Sequence, residues 1–477
     1  MPAPTLQVSQ PLIPAPVAQP PGYRPPRPER RDPWVLATVL FAAYAAVSVG
    51  RYRHMATLSW DLGIFEQVVR AYAHLRAPVS DLKGPGFDIL GDHFSPVTAL
   101  LAPLYRLFPS PVTLLVAQAA LFALSAVPVT RAAARLLGRR RGLALGVAYG
   151  LSWGVQRAVD FDFHEISFAV PLIAFSLEAL LAGRWRAALC WALPLVLVKE
   201  DLGLTLAAIA LVVAWRAGGA ARRPVVYALA TAVFGAAATV LVLTVVIPSF
   251  NTTGGYDYWT KVSDSGTPLD GLGTKLRTLA WLLIPTTGLL ALRSPLLLIT
   301  LPTLGWRFLS GDAHYWGPDW HYSAVLMPVV FLALADALPA TRRSTRAWLR
   351  SYAAQVPAAV AAAALTLTTS LPLAQLTRAE VYREPAAVSD VEGLLARIPD
   401  DATVESNIGP ISRLTSRCRV YWLGGSQGVA PRYIALENID ERYRDPVGYA
   451  RKLHPGAEYA VAGESGGYVV LRRLTAA

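Results

Sequence analysis

The stretch LPLVLVKEDLGLTLAAIALVV, residues 193–213, places three consecutive charged residues, Lys199, Glu200 and Asp201, between two long apolar runs. Apolar runs of this kind are typical of helices that cross a lipid bilayer, where an unpaired charge is costly. A charged triplet between two such runs therefore indicates a tight turn at the edge of a membrane. This interpretation depends on whether the rest of the chain is built for lipid.

The composition of the whole chain is that of a membrane protein. Of its 477 residues, 54% are hydrophobic and 16% are charged, whereas a soluble protein carries about 25% charged residues. Apolar runs recur along the chain, and their spacing predicts about eleven membrane spans. They lie near residues 34–50, 111–134, 142–158, 166–183, 186–199, 201–216, 224–248, 277–293, 294–309, 323–338 and 350–371.

Arginine-rich clusters occupy alternate gaps between these runs, before residue 34 and at 135–141, 184–186, 216–223, 293 and 342–350. Positive charge in alternate loops orients a multi-span protein with those loops inside. We therefore predict a multi-pass protein of the plasma membrane with a cytoplasmic N-terminus. The net charge of +12 is spread over these gaps instead of forming one patch, so nucleic acid is not an expected partner.

The predicted topology divides the chain into three parts. Residues 1–33 are Pro-rich and basic, which predicts a disordered cytoplasmic tail, and residues 34–371 form the transmembrane domain. Residues 51–110 are its first outer loop, in which residues 95–108 are too short to span and predict an interfacial amphipathic helix. Residues 372–477 fall outside the membrane.

The outer tail has the pattern of a small α/β domain. The segment AVSDVEGLLARIPD (387–400) has helical spacing, and ATVESN (402–407), CRVYWLG (418–424) and RYIALEN (432–438) resemble strands, followed by a hairpin over 459–474. The predicted fold class is therefore mainly α, a polytopic helical membrane protein with a small extracytoplasmic α/β domain at its C-terminal end.

The first outer loop carries two groups of polar residues. The segment WDLGIFEQ (60–67) places Asp61 and Glu66 at the start of a helical pattern, where Ser59 or Asp61 is expected to cap the helix. The segment GDHFSP (91–96) supplies Asp92 and His93. For Asp61 the alternative to a functional carboxylate is an ordinary helix cap.

A second polar group follows the third predicted span. The segment DFDFHE (160–165) contains Asp160, Asp162 and His164 at alternate positions, followed by Glu165. On an extended strand the three alternate residues would face one way. A divalent ion such as Mg²⁺ or Mn²⁺, held by some of the residues Asp92, His93, Asp162 and His164, is one interpretation. Solvated loop polarity and binding of substrate hydroxyls are the alternatives.

The opening stretch becomes the turn between the fifth and sixth spans, on the outer side. A compact ammonium at the headgroup level, such as that of Lys199, is suited to meet a lipid phosphate. The alternative is a helix-end lysine that reaches water, with Glu200 and Asp201 capping the next helix.

Further candidates lie near other outer helix ends. The loop SGDAHYWGPDWHYSAV (310–325) offers His314 and His321 among aromatic residues, which suit either a sugar ring or an interfacial aromatic belt. Arg157 and Arg307 are additional candidates for binding a phosphate.

Taken in order, these motifs resemble the GT-C glycosyltransferases, multi-span enzymes that use polyprenyl-phosphate-linked sugars outside the cell membrane. More narrowly, WDLGIFEQ with GDHFSP and FHE resembles an actinobacterial and archaeal membrane family of unknown function within that superfamily. The resemblance covers about residues 34–340 and, more loosely, the outer tail.

This resemblance implies a glycosyltransferase that moves a sugar from a polyprenyl-phosphate lipid to an envelope glycan or protein. Asp61 occupies the place of the catalytic base, and Lys199 that of a lysine which contacts the donor phosphate, although Val198-Lys199-Glu200 replaces the Thr-Lys-Gly of relatives. The other residues expected to hold substrate are Glu66, Asp92, His93, Arg157, Asp162, His164, Glu165, Glu200, Arg307, His314 and His321. Because polyprenyl phosphate is a good leaving group, one base suffices, and a single displacement inverts the anomeric carbon.

Two other classes of function compete with this interpretation. A transporter or lipid flippase tends to carry charges near the bilayer midplane and to show internal repeats, whereas the charges here gather at one surface. A non-catalytic envelope scaffold would be marked by degenerate motifs, yet Asp61, His93, His164 and Lys199 are all present.

Overall fold

The computed structural model of the chain describes residues 31–218, 222–252, 254–256, 267 and 269–474. Residues 1–30 of the predicted cytoplasmic tail lie outside the described residues. The first helix begins at Asp32, so the last residues of the predicted tail belong to the first apolar helix.

The described residues between 31 and 368 are mainly helical. The helices in chain order are α1 (Asp32–Arg53), α2 (Asp61–Ala73), α3 (Ala102–Leu107), α4 (Pro111–Leu137), α5 (Arg139–Gly150), α6 (Trp153–Asp160), α7 (Ile166–Leu181), α8 (Trp185–Ala192), α9 (Leu202–Ala217), α10 (Arg222–Leu241), α11 (Ile247–Phe250), α12 (Leu272–Thr287), α13 (Leu301–Leu309), α14 (Met327–Thr341) and α15 (Ala347–Thr368). A π-helical turn, Val242–Val246, joins α10 to α11. Short 3₁₀ turns precede α13 and α14, at Pro295–Thr300 and His321–Leu326.

The predicted apolar runs all fall on helical segments, but several segments are shorter than a full span. Five described segments have the length and hydropathy of a span: Asp32–Arg53, Pro111–Leu137, Arg222–Phe250, His321–Thr341 and Ala347–Thr368. Four shorter apolar segments accompany them: Ile166–Leu181, Trp185–Leu197, Leu202–Ala217 and Pro295–Leu309. Prolines such as Pro194 and Pro302 stand at junctions between α-helix and 3₁₀ turns, because proline lacks the amide hydrogen that the interior of an α-helix needs.

Helix α4 is the centre of the membrane half and packs against α1, α5, α7 and α14. Helices α9 and α10 pack closely against each other. A Cβ atom built on Gly203 would lie 2.4 Å from the carbonyl oxygen of Gly235. Small residues permit this approach of two backbones, which is how helices commonly associate inside a membrane.

Acidic residues at the ends of helices opposite to the outer loops are paired with arginines. Arg131 donates to both carboxylate oxygens of Glu178, at 3.0 and 2.5 Å. Arg139 lies 2.6 Å from Asp32. Arg216 pairs with Asp336. These pairs join α4 to α7, α5 to α1 and α9 to α14 at the end where the arginine clusters lie.

The segment predicted to lie at the membrane interface is helical and amphipathic. It consists of the 3₁₀ turn Pro96–Leu101 followed by α3. Leu100, Leu107 and Phe108 are exposed, whereas Leu101 and Tyr105 are buried. An exposed apolar face of this kind is what an interfacial helix presents to lipid.

The C-terminal part contains the predicted α/β domain. Its strands are β1 (Thr403–Ser406), β2 (Arg419–Trp422), β3 (Tyr433–Glu437), β4 (Tyr459–Ser465) and β5 (Tyr468–Arg473), with helices α16 (Ala386–Leu395), α17 (Ile408–Leu414) and α18 (Pro446–Leu453). The sheet order is β2-β1-β3-β5-β4, with parallel pairing of β1 to β2 and β3 and antiparallel pairing of β5 to β3 and β4. The predicted strands are confirmed, whereas α17 and α18 were not predicted.

The α/β domain packs directly on α2, the helix that begins with Asp61. The Gln67 amide donates to the Val420 carbonyl at 2.9 Å, and Arg70 donates to the carbonyls of Thr415 and Cys418 at 3.1 Å. Because β2 and the segment between α17 and β2 supply these acceptors, the α/β domain (the outer domain of the predicted topology) holds the predicted first outer loop in a defined place.

Candidate active site

Asp61 is the first residue of α2, and its carboxylate has no hydrogen-bond or ion-pair partner among the described residues. Its backbone N–H donates to Ser59 Oγ at 3.2 Å, and no side chain caps the helix. Within the ranges that the structure describes, no hydrogen bond or ion pair engages the Asp61 carboxylate. The expected cap function therefore does not account for this half-buried side chain.

Asp61 lines a cavity of about 400 Å³ at the junction of the first outer loop, the loop before α14 and the outer domain. The lining residues are Leu58, Ser59, Trp60, Asp61, Phe161, Asp312, His314, Tyr315, Trp320, Tyr322, Ile408 and Trp422. Aromatic rings dominate this list, and their faces suit the apolar C–H faces of a sugar ring. A concave, largely aromatic site with a few polar groups is typical of a ligand pocket.

Lys199, Glu165 and His164 form a buried charge cluster beside Asp61. The Lys199 ammonium lies 2.8 Å from one carboxylate oxygen of Glu165, and His164 Nδ1 lies 2.7 Å from the other. Glu165 is fully buried. Burial raises the pKa of Asp61 above its usual range, and the nearby Glu165 raises it further, against the opposing effect of His164 and Lys199. Three motifs that lie far apart in the sequence therefore meet at Asp61.

A second pair, His93 with Glu200, continues this cluster. His93 Nδ1 lies 3.1 Å from Glu200 Oε1, which also accepts a hydrogen bond from the Tyr256 hydroxyl at 3.1 Å. Burial alone would raise the pKa of Glu200, but Lys199 and His93 together hold it at about 2. Glu200 is therefore a carboxylate at neutral pH. Its second oxygen is buried without a hydrogen-bond partner among the described residues.

His321 is buried against the same cluster. Its ring stacks on that of His164, with centroids 3.9 Å apart, and lies 4.2 Å from the ring of Phe161. Neither ring nitrogen has a hydrogen-bond partner in the described part of the chain. Buried polar atoms are normally paired, so unpaired ones beside a cavity indicate a place for a bound polar group.

Residues 160–164 do not form the extended strand that their alternation suggests. Asp162 has a left-handed backbone, with φ of 76°, which turns its neighbours to different sides. Asp160 pairs with Arg51 at 3.2 Å, whereas Asp162 accepts from the backbone N–H groups of Leu58 and Ser59 at 3.0 and 3.1 Å. The expectation of a common face was wrong. Asp162 instead holds the segment that leads into Asp61.

Two other predicted substrate contacts have structural partners. Glu66 is fully buried and accepts hydrogen bonds from the hydroxyls of Tyr105, at 2.9 Å, and Thr415. Burial raises its pKa to about 7, although both hydrogen bonds oppose this. Glu66 therefore joins α2 to α3 and to the outer domain, and it is not among the residues that line the cavity.

Arg307 is also fully buried. It donates to the carbonyls of Tyr315 and Gly317, at 2.8 and 2.9 Å, and to the Ser323 hydroxyl at 3.1 Å. All three guanidinium nitrogens therefore hold the loop that forms one wall of the cavity.

The remaining predicted residues are divided between two places. His314 lines the cavity and lies 2.9 Å from Asp312. Arg157 does not line it and faces a second cavity. Asp92 lies 3.1 Å from Lys83 and 3.7 Å from His93, so it supports the His93–Glu200 pair.

The four residues proposed to hold Mg²⁺ or Mn²⁺ do not converge. Asp92 faces Lys83, His93 faces Glu200, Asp162 binds backbone amides and His164 contacts Glu165. In the described residues, no group of three or more His, Cys, Asp or Glu side chains is placed to hold a metal ion. These residues therefore do not fit a metal site as a set, and the chemistry below uses none.

Most of the cavity-lining residues were not among the predicted site residues, and two of them are large aromatic residues next to other features of the site. Trp422, at the end of β2, and Tyr322, beside His321, both line the cavity. Trp422 also meets the ring of Trp60 edge to face, with centroids 4.7 Å apart. A tryptophan at the end of a predicted strand was the only signal available for Trp422, because its partner lies more than 350 residues earlier in the chain.

The fold is shared with two crystal structures of ArnT from Cupriavidus metallidurans. The structure bound to undecaprenyl phosphate has 16% sequence identity and a TM-score of 0.56, and the apo structure has 14% identity and a TM-score of 0.51. Each comparison covers 92% of this chain and 97% of ArnT. Since ArnT is a GT-C glycosyltransferase, the chain has a GT-C-like fold.

No curated protein matches the sequence significantly. Residues 51–429, however, match the family of predicted membrane proteins DUF2079. Because the match spans most of the chain, the protein belongs to this family.

Proposed function

We propose that this DUF2079 protein is a membrane glycosyltransferase that moves a sugar from a polyprenyl-phosphate donor to an acceptor on the outer face of the plasma membrane. The observation that carries the proposal is the uncommitted Asp61 carboxylate on a cavity with aromatic walls. The fold shared with ArnT, which binds undecaprenyl phosphate in one of its structures, supports a lipid-phosphate donor.

In the proposed reaction Asp61 is the general base. Its carboxylate takes the proton of an acceptor hydroxyl while the hydroxyl oxygen attacks the anomeric carbon of the donor sugar. The new C–O bond forms as the bond from the anomeric carbon to the phosphate oxygen breaks, and the electron pair leaves with the polyprenyl phosphate. A single displacement of this kind inverts the anomeric carbon.

The environment of Asp61 suits this function. A base must be ionised before reaction, yet strong enough to accept a proton as it reacts. Burial raises the pKa of Asp61, which strengthens the base, and the nearby His164 and Lys199 limit the rise. Since no hydrogen bond in the described part of the chain occupies its oxygens, both remain open to an acceptor.

Lys199 is the group proposed to stabilise the departing phosphate. Its ammonium is held by Glu165 at 2.8 Å, and the same carboxylate contacts His164. A fixed cation needs no reorganisation as negative charge grows on the leaving group. The unpaired nitrogens of His321 and the free oxygen of Glu200 are buried beside it, and we assign them to hydroxyl groups of the donor sugar.

The partners implied are a polyprenyl-phosphate sugar, an envelope glycan or protein as acceptor, and the surrounding membrane lipids. In this topology the α/β domain lies outside the cell and the N-terminus in the cytoplasm. Trp422 and Ile408 of that domain line the cavity, so the outer domain forms part of the entrance for the acceptor.

The test is an analysis of lipids and envelope glycans in a deletion strain complemented with wild type, Asp61→Asn or Asp390→Asn. A polyprenyl-phosphate sugar that accumulates, beside a glycan that lacks this sugar, identifies the donor. We expect rescue by wild type and by Asp390→Asn, because Asp390 is exposed on α16 and does not line the cavity. Asp61→Asn should fail to rescue although the protein reaches the membrane. Unchanged lipids and glycans, or full rescue by Asp61→Asn, would contradict the proposal.

A further inference from the structure

A second cavity, of about 590 Å³, lies on the other side of the α6 end from the Asp61 cavity. The C-terminal ends of α1, α6 and α15 and the segment that follows α15 form its walls. Helix α6 separates the two cavities, because Arg157 and Asp160 line this one while the next residue, Phe161, lines the other. None of the groups used in the proposed transfer reaction lines it.

Positive charge dominates this second cavity. Arg51, Arg157 and Arg378 line it, against the carboxylates of Asp160 and Glu380. Asp160 is already engaged, by Arg51 at 3.2 Å and by the Gln375 amide at 3.2 Å. The cavity therefore holds more guanidinium groups than its own carboxylates can neutralise.

The three guanidinium groups keep unused donors. In the described part of the chain, the Arg378 side chain makes no hydrogen bond or ion pair, and the nearest carboxylate to Arg157, that of Asp319, is exposed and 3.9 Å away. Arg51 Nε is buried without a hydrogen-bond partner. Arginine near a helix C-terminus is favoured by the helix dipole, which accounts for Arg51 at the end of α1 but not for Arg378 on the connecting segment.

His54 also lines this wall. Its Nδ1 lies 2.7 Å from the Gly50 carbonyl oxygen, and its Nε2 lies 3.2 and 3.0 Å from the carbonyl oxygens of Glu380 and Arg383. These contacts join the C-terminal end of α1 to the segment that follows α15.

The position of this cavity, at the ends of two helices long enough to span the membrane, suits the binding of a lipid phosphate. Helices α1 and α15 both have the length and hydropathy of a full span, and both end at this cavity. Apolar side chains of Leu371, Pro372 and Val381 complete its lining. A mixed apolar and guanidinium surface at the end of two spans is where phosphate headgroups of the bilayer lie.

We propose that Arg51, Arg157 and Arg378 form an anion site that binds a phosphate group, carried either by a lipid headgroup or by a free phosphate ester. Arginine is the residue best suited to phosphate, because its planar fork donates two parallel hydrogen bonds to two oxygens. This site goes beyond the proposed transfer reaction and does not depend on it.

The test is calorimetric titration of the full-length chain, purified in a maltoside detergent that carries no phosphate. The probes are inorganic phosphate, a short-chain phosphatidic acid, and the matching diacylglycerol as the probe that lacks phosphate. The variants are Arg378→Gln, Arg157→Gln and Arg378→Lys. Arg383→Gln is the matched control, because its exposed side chain lies five residues from Arg378 but does not line the cavity.

We expect saturable binding of phosphatidic acid but not of diacylglycerol, weakened about tenfold by Arg378→Gln or Arg157→Gln. Arg383→Gln should bind like wild type, and Arg378→Lys should retain part of the affinity. Binding of phosphatidic acid alone identifies a lipid headgroup, and comparable binding of inorganic phosphate identifies the phosphate itself as sufficient. No saturable binding, or equal binding by Arg378→Gln, Arg157→Gln and Arg383→Gln, would overturn the site, whether or not the chain transfers sugar.

Discussion

The ammonium of Lys199 lies 2.8 Å from a carboxylate oxygen of Glu165, and Glu165 is fully buried. A lysine that merely reached water from a helix end would be exposed, whereas only 13% of the Lys199 side chain is. Lys199 and Glu200 of the charged triplet therefore belong to a packed cluster of charged residues that also includes Glu165 and His93. This arrangement holds a positive charge at a fixed point beside Asp61.

The Lys199–Glu165 pair predicts a non-additive double mutant. Removing one partner of a buried pair leaves the other charge uncompensated, which typically costs about 3–5 kcal/mol of stability. We expect Glu165→Gln to be destabilised by this order, and Glu165→Gln/Lys199→Met to recover most of the loss. Denaturant unfolding of the purified chains in detergent measures this. If the double variant loses the sum of the two single losses, the two side chains do not act as a pair.

Glu66 predicts a dependence of stability on pH. Burial raises its pKa from 4.5 to about 7 in the folded chain. Between these values the folded state holds a proton that the unfolded state has released, so stability is highest below about pH 4.5 and falls as pH rises to about 7, by ~3 kcal/mol. Glu66→Gln, which cannot ionise, should lack this contribution.

The measurement is the unfolding free energy of wild type and Glu66→Gln at several pH values from 4.5 to 8. The difference between the two proteins isolates Glu66 from Asp162, whose pKa burial also raises to about 7. A difference that stays constant across this range would show that Glu66 has the same pKa in both states.

Two glycines, one at the α9–α10 contact and one in α12, are predicted to respond differently to substitution by alanine. A Cβ atom on Gly235 would lie 2.5 Å from the backbone oxygen of Gly203, so Gly235→Ala must push two helices apart, at a cost of about 1–3 kcal/mol. Gly273 lies in α12 with nothing within 4 Å of its Cβ position. Gly273→Ala should be neutral or stabilising by up to about 0.5 kcal/mol, because alanine favours a helix. Thermal unfolding of both variants checks the contrast, and equal melting temperatures would refute the close packing.

Substitution of His321 by phenylalanine is expected to impair binding of the donor without lowering the stability of the protein. Phenylalanine preserves the ring that stacks on His164 and Phe161 but removes two buried nitrogens that have no partner in the described residues. Because an unpaired buried polar atom costs about 1–3 kcal/mol, His321→Phe should be at least as stable as wild type. If these nitrogens bind sugar hydroxyls, KM for the donor should rise by about tenfold. A stable variant with unchanged kinetics would assign His321 to packing alone.

The features of the fold that could be predicted are those set by local pattern. Apolar runs marked the helices, and alternation marked the strands β1, β2 and β3 within one or two residues of their ends. The breaks inside the apolar runs depend on prolines and on packing, so the number of full spans could not be deduced from hydropathy. Likewise the left-handed backbone of Asp162, which undoes the alternation of residues 160–164, has no signature in that segment.

The candidate site was predictable in its composition but not in its arrangement. The motifs around Asp61, His93, His164 and Lys199 were recognised singly, and the structure brings them together. The buried contacts of Glu66 could not be predicted, because its partner Thr415 belongs to the outer domain, 349 residues later in the chain. Contacts at this range depend on how the outer domain docks, which no local pattern reports.

The packing of the outer domain on α2 has a consequence for the order of synthesis. The helix that begins with Asp61 is made early, whereas Thr415, Cys418 and Val420, whose carbonyls hold Arg70 and Gln67, follow every apolar helix of the described chain. A chain still emerging from the ribosome can insert its helices but cannot yet fix α2. In the proposed enzyme, the catalytic cavity is completed only after insertion is over, so incomplete chains left in the membrane would be inactive.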